Sequence, residues 1–204
     1  MRFRLTSCLP LAIVVAFVSC CHAQTIYSAR ERNLPFAIGA GLSDFNVDFG
    51  EIHGNPKTME GITLWLDYAP PKLPRALNGF DLEIEGRDIN YGRPASLGSS
   101  FRQETGVGGL IYSFRRYSVI HPYAKALIGM GSIDFASSGS YRSDSRVVYA
   151  PAGGLELRAF KGIKLRADYE YQFWPHLFGP NALNPRGITL ATEFDFRPRP
   201  ASAY

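Results

Sequence analysis

Cysteine, long apolar runs and a dominant charge are all missing from most of this chain. Its three cysteines, Cys8, Cys20 and Cys21, sit at the N-terminus. The remainder of the chain has no disulfide framework and is not a stapled secreted module. After residue 23 no segment approaches the roughly 18 consecutive apolar residues of a spanning helix. The 22 basic and 18 acidic side chains give a net +4, which falls to +2 once Arg2 and Arg4 are removed. So small an excess leaves no electrostatic footprint for nucleic acid. Histidine is sparse too, and His53, His121 and His176 are scattered, without the spacing of a zinc site.

The start of the chain is an export signal. Arg2 and Arg4 form a basic n-region, Leu9 to Val18 a short apolar h-region, and Cys21-His22-Ala23 a small-residue peptidase site. Cleavage is expected after Ala23, leaving Gln24 as the first mature residue. A lipid-attachment reading at Cys20, through Phe17-Val18-Ser19-Cys20, stays open, with Phe standing where Leu is usual.

What the chain does have is strict alternation. From Lys164 to Phe173 every even position is charged or amide-bearing and every odd position is apolar or aromatic. On a strand these fall on opposite faces, whereas an amphipathic helix needs apolar residues three and four apart. Similar patterns place eight strands at about 35–47, 57–68, 79–90, 101–115, 121–134, 146–160, 163–174 and 186–197. Connections after strands one, three, five and seven are long and polar (Asp48–Pro56, Tyr91–Ser100, Ala136–Ser145, Pro175–Pro185). Those after strands four and six are short. The Pro-rich Ala69–Asn78 breaks this rhythm. Glycines such as Gly39, Gly106, Gly108, Gly109 and Gly131 mark bends or room for long inward side chains.

Alternation does not say which face is inside. A soluble lipocalin-like calyx would bury the apolar faces around an apolar ligand, and a membrane barrel would turn them out to lipid. Three features favour the membrane arrangement: the export signal, the long–short loop rhythm, and aromatics at both strand ends. The periplasmic belt is expected to hold Tyr68, Phe80, Phe114, Tyr123, Phe160 and Phe196. The outer belt is expected to hold Phe45, Tyr91, Phe135, Tyr149, Phe173 and Trp174. The expected fold class is therefore all-β, an eight-stranded antiparallel transmembrane β-barrel with up-and-down meander topology. Closure is required because lipid leaves no water for open sheet edges. Eight strands leave an interior that side chains fill.

The chain resembles the OmpA-like outer-membrane β-barrel domain family, which includes opacity-type proteins and porin-type small barrels. The resemblance runs through Pro122-Tyr123-Ala124-Lys125-Ala126 to Gly129-Met130-Gly131, then Gly153-Gly154-Leu155-Glu156-Leu157-Arg158 and Leu165-Arg166-Ala167-Asp168-Tyr169-Glu170-Tyr171. It covers about 34–197. The division it suggests is a signal peptide at 1–23, an N-terminal periplasmic segment at 24–33, the barrel at 34–197 and a flexible tail at 198–204. No peptidoglycan-binding domain is expected. The resemblance implies insertion into outer-membrane lipid by the barrel-assembly machinery, with Phe196 as the assembly-signal aromatic. A monomer is expected, with the outer loops as the surface that meets any ligand.

Inward-facing charges form the best-defined constellation. Strand two supplies Asp67, and strand three Glu83, Glu85 and Arg87. Lys125 comes from strand five, and Glu156 and Arg158 from strand six. Strand seven adds Lys164, Arg166, Asp168 and Glu170, and the last strand Glu193 and Asp195. Mixed signs suit a network that fills a narrow lumen; the functional alternative is a gate for a narrow passive pore. No catalytic residue, cofactor or metal site is expected. His53 and His176 share outer loops with serines but lack a deacylase-type pattern, and Asp44, Asp48 and Glu51 lack a calcium-loop spacing. The expected work is envelope integrity or surface interaction.

Overall fold

The computed structural model describes residues 35–47, 57–71, 73–74, 77, 79–91, 101–114, 119–135, 143–160, 162–177, 179 and 181–196. The expected signal peptide at 1–23, the 24–33 segment and the 198–204 tail lie outside the described residues. Ten strands run in chain order: β1 (Phe36–Val47), β2 (Lys57–Tyr68), β3 (Phe80–Tyr91), β4 (Phe101–Ser113), β5 (Ile120–Phe135), β6 (Ser143–Phe160), β7 (Ile163–Tyr171), β8 (Trp174–Leu177), β9 (Asn181–Leu183) and β10 (Arg186–Asp195). Eight of them close into an antiparallel barrel. Each pairs with its chain neighbour, β7 pairs with β10 past the intervening hairpin, and β1 pairs with β10 to complete the ring.

Burial follows the two-residue period. On β3 the outward Leu82 and Ile84 alternate with buried Glu83, Glu85 and Arg87, and on β7 the outward Leu165 and Tyr169 alternate with buried Arg166, Asp168 and Glu170. The most exposed aliphatic residues of the band are Leu42 at 70%, Ile84 at 67% and Leu190 at 63%. Apolar side chains outside and charges inside invert the rule for proteins dissolved in water, and also the calyx arrangement. Aromatic pairs rim the band. At the lower end, where β1 starts and β10 ends, Phe36 meets Phe196 (5.7 Å) and Phe80 meets Tyr112 (4.8 Å). At the upper end Tyr149 meets Phe173 (6.5 Å).

The stretch 175–185 corrects the expectation of a polar loop. It carries β8 and β9, which pair as a hairpin of their own. Trp174, Leu177 and Leu183 on this hairpin are 0%, 0% and 1% exposed. Polar punctuation (Pro175, His176, Gly179) masks three apolar side chains that the hairpin gathers on one side. His176, at φ 59°, and Gly179, at φ 107°, turn the chain back.

The interior is zoned. In the upper half Phe45, Val47, Met59, Ile89, Ile133 and Val148 pack with Trp174, Leu177 and Leu183 into an apolar cluster. The lower half is ionic. Inward glycines admit the largest rings: a Cβ on Gly131 would collide with the Trp174 ring, and one on Gly39 with the Trp65 ring.

Candidate functional site

The lumen charges come from several strands, and only barrel closure brings them together. Arg87 on β3 forks onto Glu170 of β7, donating from Nη1 at 2.6 Å and from Nη2 at 3.0 Å, and its Nη2 also donates to Glu85 at 2.6 Å. Such bidentate geometry fixes both groups. Arg87 Nε donates to Thr63 at 2.9 Å, and the Thr63 hydroxyl meets Ser43, which in turn meets Thr189 at 2.8 Å. Lys125 on β5 donates to Glu83 at 3.0 Å and to Glu85 at 2.5 Å. Arg166 on β7 donates to Glu83 at 2.5 Å and to the Tyr123 hydroxyl at 2.9 Å. Its guanidinium lies 4.7 Å from the Trp65 ring centre and 4.6 Å from that of Tyr123. Flat faces and five donors make arginine suited to this slot where lysine is not.

A second, lower layer is built on Lys164, which lies 3.0 Å from Glu156, 3.1 Å from Glu193 and 3.0 Å from Asp195. A third link climbs to the apolar zone. Gln172 Nε2 donates to Glu170 at 2.8 Å, while its Oε1 accepts from Gln103 at 2.9 Å and from the Trp174 indole at 3.0 Å. One connected set of hydrogen bonds therefore runs from the ionic layer to the hairpin.

The structure buries Asp67, Glu83, Glu85, Arg87, Lys125, Glu156, Lys164, Arg166, Asp168, Glu170 and Glu193 inside the barrel, and it leaves the Asp195 side chain 20% exposed at the lower rim. Arg158 does not join them. It is exposed, beside the register irregularity between Arg158 and Phe160, and its strand partner is Lys164, a like charge already serving Glu156. Three belt expectations are also corrected: Phe45, Tyr123 and Trp174 point inward, at 0%, 3% and 0% exposure. Each shares parity with an inward neighbour (Ser43, Lys125 and Gln172), so alternation already carried that signal, and position at the strand end was the weaker guide. Phe135's side chain and His53 lie outside the described residues, as do Ser137, Ser138 and Ser140. His176 is exposed on the hairpin.

An apolar outer face around a closed, ion-paired interior, bounded by aromatic rims, defines the class: the fold is that of the small transmembrane barrels. Solved structures agree. Neisserial surface protein A superposes with a TM-score of 0.63 at 13% identity, over 79% of this chain and 97% of that one. Ail, the attachment invasion locus protein of Yersinia pestis, does so at 0.55 and 18% identity, over 78% and 96%. A second structure of Ail, in complex with the heparin analogue sucrose octasulfate, gives 0.54 and 20% identity, over 78% and 96%. No protein-family model and no curated protein matches the chain in sequence.

Proposed function

We propose that the protein is a bacterial outer-membrane barrel whose interior is scaffold, and whose work is envelope integrity or surface contact at the upper end. The observation that carries this is closure at two levels: an ionic layer of fully buried side chains below and an apolar cluster sealed by the β8–β9 hairpin above. Charges at the upper end mix both signs: Asp88, Arg102 and Glu104 on the outer face, and the part-buried Asp144 with Arg146. That surface suits polar contacts better than capture of a polyanion. Delivery by the barrel-assembly machinery, a signal from Phe196 and a monomeric state belong to the same proposal. Phe196 supports it by lying outward at 46% exposure on the closing seam, where its N–H donates to Phe36 at 3.2 Å.

The test is membrane fractionation with heated and unheated gels, followed by a planar bilayer. The expected result is recovery in the outer membrane, a heat-shifted band and near-zero conductance, unchanged when Glu170 is reversed to Lys in a folded preparation. Recovery in the soluble periplasm would sink the membrane reading, and solute-dependent liposome swelling would sink the scaffold reading. The lipid face gives a separate check. Ile84→Lys is expected to cost about 2–4 kcal/mol in a bilayer, while a lysine at Asp88, on the same face but nearer the upper rim, costs about 1 kcal/mol or less. Urea titration in vesicles reads the difference, and equal costs would mean that Ile84 does not face lipid.

A further inference from the structure

We propose that the lower lumen holds a hard divalent cation, calcium by preference, between Asp67, Glu156 and Glu193. Each offers a carboxylate oxygen, and these oxygens lie within 4.8 Å of one another. The residues are 1%, 3% and 0% exposed, so this is no solvated acidic patch. An independent sign is Asp67 Oδ1, which is buried and has no hydrogen-bond partner among the described residues. The other oxygen of that carboxylate lies 3.4 Å from Arg166. A buried carboxylate left so thinly served is costly unless something else meets it.

Oxygen-only donors select a hard ion over a transition metal. Calcium, with oxygens at about 2.3–2.6 Å, spans a shell about 5 Å across and accepts irregular geometry; magnesium demands a tighter octahedron.

The fold explains how two of the three, Asp67 and Glu193, meet. Glu193 on β10 and Trp65 on β2 both pair with Gly39 of β1, and Asp67 and Asp195 both pair with Ala37. Small residues on β1 let side chains from the two flanking strands approach across it. Lys164 holds one oxygen of Glu156 and one of Glu193. With Asp195 it lines the partly exposed approach from the lower mouth.

The test uses the full barrel refolded in detergent and stripped with chelator. Calcium is expected to raise the unfolding midpoint by about 5 °C or more at saturating excess, and magnesium by less. Terbium should show emission sensitised by Trp65, two residues from Asp67 on the same face. Asp67→Asn should abolish both signals while keeping the heat-shifted gel band; Glu156→Gln gives the same readout if Asp67→Asn does not fold. Asp134→Asn, an exposed acid at the upper end, should retain both. The proposal is overturned if neither ion shifts the wild-type midpoint, or if folded Asp67→Asn or Glu156→Gln keeps the shift. Stability that tracks pH alone also overturns it, since a proton between the register partners Asp67 and Glu83 would then be the counter-charge.

Discussion

Replacing Arg166 by Met is expected to lower the stability of the folded barrel by about 3–5 kcal/mol, the cost of removing one partner from a buried ion network. The guanidinium is 1% exposed and touches carboxylates on two other strands, Glu83 at 2.5 Å and Asp67 at 3.4 Å. Met fills the slot between the Trp65 and Tyr123 rings but leaves those carboxylates facing one another. The measurement is the urea concentration at which the compact band of unheated samples converts to the unfolded one. Adding Asp67→Asn should return much of the loss, because Glu83 keeps Lys125 at 3.0 Å whereas Asp67 is the carboxylate stranded when Arg166 goes. A single variant as resistant as wild type would mean that the network contributes nothing to stability.

The second large effect is expected at Trp174. Its ring is fully buried over Gly131, and Trp174→Ala should cost about 3–5 kcal/mol in packing. That loss falls on the hairpin more than on the barrel, because the barrel ladder does not depend on β8 and β9. The expected result is protease cleavage between residues 175 and 185 in the variant, with the heat-shifted band kept. Gly131→Leu approaches the same contact from the barrel wall and should release the hairpin equally. A hairpin that stays resistant in both variants would show that Trp174 does not hold it.

Much of this architecture was legible because a two-residue period has one physical cause. Lys164 to Tyr171 alternate in sequence as they do in burial, and the eight expected strands fall on the eight barrel strands within a few residues. The lumen was legible to the extent that it is charged. Its upper half was not, since Phe45, Met59, Ile89 and Val148 look like any other apolar residue once alternation stops contrasting apolar with polar. The hairpin escaped for a related reason: three apolar anchors separated by proline, histidine and glycine have no period to detect. Proximity was also hidden. Asp67, Glu156 and Glu193 lie on three strands far apart in the chain, and only the register of the closed sheet sets them together.

The inward face of β1 bears on how the barrel comes to exist. It runs Ala37, Gly39, Gly41, Ser43, the slightest of any strand in the lower lumen, and this is also the strand that joins the far end of the chain. All other barrel pairings join strands adjacent in the chain or separated by one hairpin, so the entropy of ring closure is concentrated at this single seam. With almost no inward bulk over its lower half, the strand can enter the gap between β2 and β10 there without displacing Trp65, Glu193 or the side chains beside them; Phe45 and Val47 carry its inward bulk at the upper end. The final stitch is thereby a backbone event in the lower barrel, zipped by ladder hydrogen bonds, and the ionic layer has little to rearrange when it is made.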